Sequence, residues 1–248
     1  MANWNEPRRS EQGFGASLGR DGALAGRAAY DEGLRKHMLS IYNYMASGVL
    51  LSGIVALGTF VSGYAFLFYA TPLRWVVGLS PLAIVLAMSF GANRFKASTL
   101  RALFWSFTVL MGLSLSSIFA VYTGPSIAAA FFAAAGGFAG LSLYGYTTKK
   151  DLTAWGSFLI MGVVGLIIAS IANLFIKSEG LAMAIPFLGV LIFAGLTAFD
   201  TQKLKDQYTY VAGTEFAGKA IVLGALNLYL DFINMFLFLL RLMGSNRN

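Results

Sequence analysis

The chain has 248 residues, of which 57% are hydrophobic and 12% charged, whereas a soluble domain carries charge on about a quarter of its residues. It has no cysteine and a single histidine, His37, which excludes disulfide frameworks and thiolate sites and argues against a histidine metal centre. The net charge of +7 does not point to nucleic acid, because the basic residues cluster between long apolar runs as membrane topology requires. Residues 1–36 come first, with six basic and five acidic side chains. They show no short apolar core with a small-residue cleavage site. They read as a polar, disordered cytoplasmic tail, with an amphipathic segment near Leu34–Ser40 leading into the first span.

A helix needs about 20 apolar residues to cross the hydrocarbon core. Met38–Leu73 is free of charge and holds one span followed by a loop ending near Thr71-Pro72. Trp75–Asn93 is a second. Ala102–Thr148 is long enough for two, with Thr123-Gly124-Pro125-Ser126 as the turn between them. Leu152–Ile176, Gly180–Phe199 and Ala220–Leu240 supply the fifth, sixth and seventh. Residues 37–243 therefore form an all-α bundle of seven transmembrane helices, and 244–248 a short tail. The runs do not alternate polar and apolar residues, which excludes a β-barrel. With seven alternating spans, fourteen Lys and Arg fall on one face and four on the other. That bias predicts a cytoplasmic N-terminus and an external C-terminus. Gly136 and Gly140 in the fourth span are four apart, on one face, where small residues let helices approach closely. Packing inside the bundle is the expected use, and a dimer face the alternative.

Of eleven acidic residues, nine lie in the tail or in loops. Asp200 and Asp231 lie at the margin of the sixth span and within the seventh. A carboxylate at bilayer depth is costly and usually marks a function; the plainer reading is a carboxyl that hydrogen-bonds neighbouring helices. Asn227, Asp231 and Asn234 share one helical face, and Arg241 continues it two turns on. A polar stripe on an apolar helix belongs in the protein interior, so the last helix is expected at the centre of the bundle, with the two asparagines in pore-facing or interhelical hydrogen-bonding roles. A contact between the aspartates meets a difficulty of depth. Asp231 is about 17 Å along the helix from Ala220, while Asp200 is nearer the surface. If they meet, protons leave the two groups in steps that belong to the pair, which near neutral pH often shares one proton. Fully deprotonated, the pair offers oxygen ligands to a hard cation such as calcium. Arg94, at the cytoplasmic end of the second span, is on the side from which an arginine would compete with that cation.

Phe199-Asp200-Thr201-Gln202-Lys203 and Leu228-Tyr229-Leu230-Asp231-Phe232-Ile233-Asn234-Met235-Phe236, with Met111-Gly112-Leu113-Ser114-Leu115-Ser116-Ser117-Ile118, resemble the motifs of the Bax inhibitor family. The likeness extends from the first span to Arg241. It implies a seven-helix bundle with the last helix in the middle and a calcium leak made pH-sensitive by an aspartate pair, here Asp200 and Asp231. It also implies that Arg94 is the latch on the sixth-helix aspartate in bacterial members. Those members sit in the inner membrane, and some are tied to a membrane protease; the form of this chain is similar to theirs. It departs from them in a longer segment between Asp200 and Asp231, around Asp206–Gly218, and in a single arginine where they have a basic cluster.

The expectation is thus a pH-sensitive calcium leak channel, with calcium as transported ion, the lipid bilayer as surroundings and no other cofactor. A regulator that transports nothing and binds a membrane protease or another membrane partner is the alternative. An intramembrane aspartyl protease also places two aspartates on consecutive helices, but it carries Gly-x-Gly-Asp where this chain has Leu228-Tyr229-Leu230-Asp231, so no enzyme activity is expected. A retinal protein needs a lysine deep in a helix, and Lys219 stands only at the entrance of the seventh.

Overall fold

The computed structural model describes residues 14–65 and 71–247. Among these, regular structure is helical apart from one isolated bridge between Tyr122 and Asn246. We label the helices α1 (Phe14–Val61), α2 (Leu73–Gly91), α3 (Ala97–Leu115), α4 (Gly124–Thr147), α5 (Thr153–Ile176), α6 (Glu179–Val211) and α7 (Ala217–Met243). A single turn, Ile118–Val121, extends α3. All seven are long and apolar enough to cross a membrane. The face that carries the N-terminal half of α1 also carries the α2–α3, α4–α5 and α6–α7 turns; we call it the N-face.

Local chemistry sets the ends. Pro125 lies in the first turn of α4, where its missing N–H costs nothing. Ser178 caps α6 by accepting from the Leu181 N–H at 3.4 Å, with Glu179 in the first turn, both favourable at a helix N-terminus. The α6–α7 connection turns at Gly213, whose φ of +72° suits a residue without a Cβ. Pro81 and Pro186 lie inside α2 and α6, as transmembrane helices tolerate.

α7 is the core of the molecule. It packs against α1, α3, α4 and α6, and its buried positions run from Ala220 to Leu240 around most of its circumference. By contrast α5 packs chiefly on α6 and leaves side chains such as Leu174 and Phe175 exposed to lipid. The expected central last helix is observed.

Three expectations are corrected. Residues 14–36 are helical and continuous with the first span rather than irregular; residues 1–13 of the expected tail lie outside the described residues. The Ala-, Leu- and Arg-rich stretch Ala23–Arg35 favours helix, Lys36 pairs with Glu32 one turn earlier at 2.6 Å, and the helix docks on the end of α6. There Tyr30 and His37 pack on the Tyr208 ring at 5.3 and 5.2 Å, and the Tyr30 hydroxyl meets Thr209 Oγ1 at 2.7 Å. The sixth helix continues twelve residues beyond Phe199, to Val211, so most of the expected Asp206–Gly218 loop is helix. Finally, Gly136 and Gly140 do not pack inside the bundle: a Cβ on either would meet nothing within 4 Å. α4 instead buries the face through Ala130, Ala134, Phe138, Ser142 and Gly145.

Candidate site at the α6–α7 aspartates

The length of α6 removes the difficulty of depth. Asp200 is eleven residues from the end of α6 and Asp231 fourteen from the start of α7, so they lie about 16 and 21 Å from the shared turn. Two side chains span that difference, which brings the two carboxyls within reach of each other. A hydrogen bond between two carboxyls would require a proton on one of them. Asp231 is 4% exposed, and its Oδ2 is buried with no hydrogen-bond donor among the described residues. Among the described residues no cation acts on Asp231 to compensate a second negative charge there. Asp200 is half-buried, and Lys203 is the cation whose charge acts on it.

The helix that carries Asp200 is fixed on its other sides. Thr201 donates to Ser142 Oγ at 3.3 Å. Gln202 Nε2 donates to the Lys150 carbonyl at 2.8 Å, while its Oε1 accepts from the Leu152 N–H at 2.9 Å. Lys205 Nζ donates to the Tyr146 carbonyl at 2.8 Å. Gly145 allows the backbone of α4 to lie directly on the Ala198 carbonyl, where any Cβ would collide. These contacts hold α6 against α4 and the α4–α5 turn.

Asp231 is positioned by a second knot two residues earlier. Tyr229, 0% exposed, meets Ser52 Oγ at 2.6 Å, and Ser52 donates to the Thr108 carbonyl at 2.7 Å. With each hydroxyl hydrogen used once, Tyr229 donates to Ser52, and Ser52 donates across to the Thr108 carbonyl, the shorter of its two contacts, the other being the Gly48 carbonyl of its own helix at 3.0 Å. The ring packs edge-on against Phe107 at 5.0 Å. Gly112 makes this possible: a Cβ there would stand 2.7 Å from the Ser52 carbonyl oxygen.

A family model described as "Inhibitor of apoptosis-promoting Bax1" matches residues 34–248. The chain belongs to the Bax inhibitor family. Its relatives include an uncharacterized protein of Caulobacter vibrioides, 49% identical over 229 residues, covering 88% of this chain and 91% of that one. An uncharacterized protein of Rickettsia prowazekii is 45% identical over 221 residues, covering 88% and 93%. Inner membrane protein YbhL of Escherichia coli is 43% identical over 219 residues, covering 87% and 94%.

In this Bax inhibitor family member the motif around Asp231 is a packing surface as much as a chemical one, since Leu228, Tyr229, Phe232, Ile233, Met235 and Phe236 are all buried. The other predicted residues are placed differently. Arg94 is exposed in the α2–α3 turn and makes no ion pair with either aspartate among the described residues. The reason is depth. Lys219, at the start of α7, touches the carbonyls of Ala92 and Asn93 at 3.3 and 3.4 Å, so Arg94 stands at the level of Lys219, about 18 Å along α7 from Asp231. Asn227 is exposed, and Asn234 donates to the Leu230 carbonyl of its own helix at 2.8 Å. The stripe does not supply the expected interhelical bonds. Ser52, Thr108, Tyr229 and Gln202 escaped the sequence reading. For Tyr229 the signal was present, because a phenol inside an apolar helix needs a partner for its hydroxyl.

Proposed function

We propose that this Bax inhibitor family protein is a proton-sensitive calcium leak channel of the bacterial inner membrane, with Asp200 and Asp231 as its gate and its N-terminus in the cytoplasm. The observation that carries the reading is the carboxyl–carboxyl contact in the bundle core. With one proton the pair closes α6 on α7. Without it the two charges repel at a site with no donor for Asp231 Oδ2, and a divalent cation restores the balance. Calcium takes six to eight oxygens, and two carboxylates offer at most four. The ion thus keeps part of its water and binds weakly, as transit requires. The exposure of Asn227, one turn from Asp231 toward the N-face, supports approach from that side. The relative YbhL is named for the inner membrane, and the basic residues favour the N-face.

The pair acts here without Arg94, whose latch role would need a rearrangement over about 18 Å. The test is calcium entry into liposomes holding the purified protein, from pH 5 to 8, beside Asp200→Asn/Asp231→Asn. A pH-dependent flux that flattens in the variant is the expected result. A flux no greater than that of empty liposomes, from folded protein, refutes the channel and favours the non-transporting regulator of a membrane protease.

A further inference from the structure

A groove of about 710 Å³ runs between α1 and α4. These two helices scarcely touch, and both pack on α7, which forms the floor through Phe232. The walls are apolar, with Met45 and Val49 from α1 and Phe138 from α4. Along α1 the lining extends from Arg35 to Leu50, and along α4 from Tyr146 to Phe131. Each stretch is sixteen residues, a rise of about 22 Å. The helices are antiparallel, so Arg35 and Tyr146 share the N-face end. A bilayer with its headgroups is about 40–45 Å thick, and half of that is the length of the groove. It therefore begins among the headgroups of one leaflet and ends near the midplane.

Its mouth is basic. Arg35 is exposed and makes no ion pair with Asp31 one turn before it or with any other carboxylate among the described residues; Glu32 is taken up by Lys36. Lys205 Nζ lies on Tyr146, 2.8 Å from its carbonyl and 5.6 Å from its ring centre, with donors to spare. An apolar trough one leaflet deep, with Arg35 on its headgroup end and Lys205 beside that end on Tyr146, matches one molecule.

We infer that the α1–α4 groove binds an anionic phospholipid of the N-face leaflet, with one acyl chain along Met45, Val49 and Phe138 and the phosphate on Arg35, seconded by Lys205. The lipid borders the aspartate site. Phe232 follows Asp231 in sequence, and Ser142, also on the lining, accepts the hydrogen bond of Thr201. The inference does not depend on calcium transport.

The test is native mass spectrometry of the purified full chain with equal amounts of phosphatidylglycerol and phosphatidylcholine of identical acyl chains. The wild type is expected to retain one phosphatidylglycerol and to prefer it over phosphatidylcholine. Arg35→Gln lowers that preference about fivefold, and Arg35→Gln/Lys205→Gln abolishes it, since each cation near a membrane surface contributes roughly that factor. Ala139→Trp, which fills the trough from α4, loses both lipids. Ala46→Phe fills it from α1 and serves if the first variant is not monodisperse. Equal retention of the two lipids by the wild type, or a preference untouched in the double Gln variant, overturns the inference.

Discussion

Gly112→Ala tests the packing that positions Asp231. The added Cβ would stand 2.7 Å from both the Ser52 carbonyl oxygen and Val55 Cβ, where ordinary contact begins at 3.4 Å. α1 and α3 must then separate by about 0.7 Å. The Ser52–Thr108 hydrogen bond, now 2.7 Å, would lengthen to about 3.4 Å, beyond useful range. Overpacking of this kind costs typically 1–3 kcal/mol, and an interhelical hydrogen bond in a membrane protein contributes about 0.6 kcal/mol, so a loss of roughly 2–3 kcal/mol is expected. The assay is reversible unfolding in mixed micelles with increasing denaturing detergent. Val55→Ala in the same chain removes the contact with Val55 Cγ1 at 3.0 Å but neither the one with Val55 Cβ nor the one with the Ser52 carbonyl, so it should restore less than half of the loss. A cost below about 0.5 kcal/mol, or full rescue by Val55→Ala, refutes the reasoning.

Other perturbations separate the roles of neighbouring residues. Tyr229→Phe removes the hydroxyl that meets Ser52 while leaving Ser52 bonded to α3, and should cost about 1 kcal/mol in the same unfolding assay. Arg94→Gln should leave both stability and the pH profile of calcium flux unchanged within twofold, because Arg94 stands far above the pair; a shifted profile would restore it as a latch. Asp231→Asn gives Asp200 a permanent amide donor; on the proposed function the protein should stay folded and lose its pH response, as read by flux from pH 5 to 8. Gly33→Ala places a methyl group against the Tyr208 hydroxyl and should speed hydrogen exchange in residues 26–37 without altering the spans.

The spans were readable because hydrophobic runs of membrane length permit only one structure, and Asp231 stood out because it interrupts such a run. The depth of Asp200 was not readable. Hydropathy falls at Asp200-Thr201-Gln202-Lys203, yet the helix continues, since Gln202 and Lys205 find their partners on α4 and the α4–α5 turn. Those partners are fifty or more residues away in sequence, and no local pattern announces them. The helical stripe of Asn227 and Asn234 was correct as geometry and misleading as chemistry, because Asn234 satisfies itself on its own backbone. Gly136 and Gly140 show the same limit. Spacing identifies a close-packing face, but only the neighbours decide whether another helix covers it, and here α4 turns Ala130, Ala134 and Phe138 inward instead.

Residues 244–247, after α7, fold back on the rest of the bundle. Thr123 donates its N–H to the Ser245 carbonyl at 3.1 Å, the Arg247 N–H reaches the Val121 carbonyl at 2.8 Å, and the Arg247 guanidinium bonds the Phe119 carbonyl at 3.1 Å and covers the Phe60 ring. Together with Lys219 on the α2–α3 turn and Tyr229 on Ser52, this strap pins α7 at both ends and at its waist. Mechanically the helix is a fixed axle. On the proposed function, a change of charge at Asp231 would work by rearranging the helices around α7 rather than by sliding α7 itself, and a reporter of gating would belong on α1 or α6.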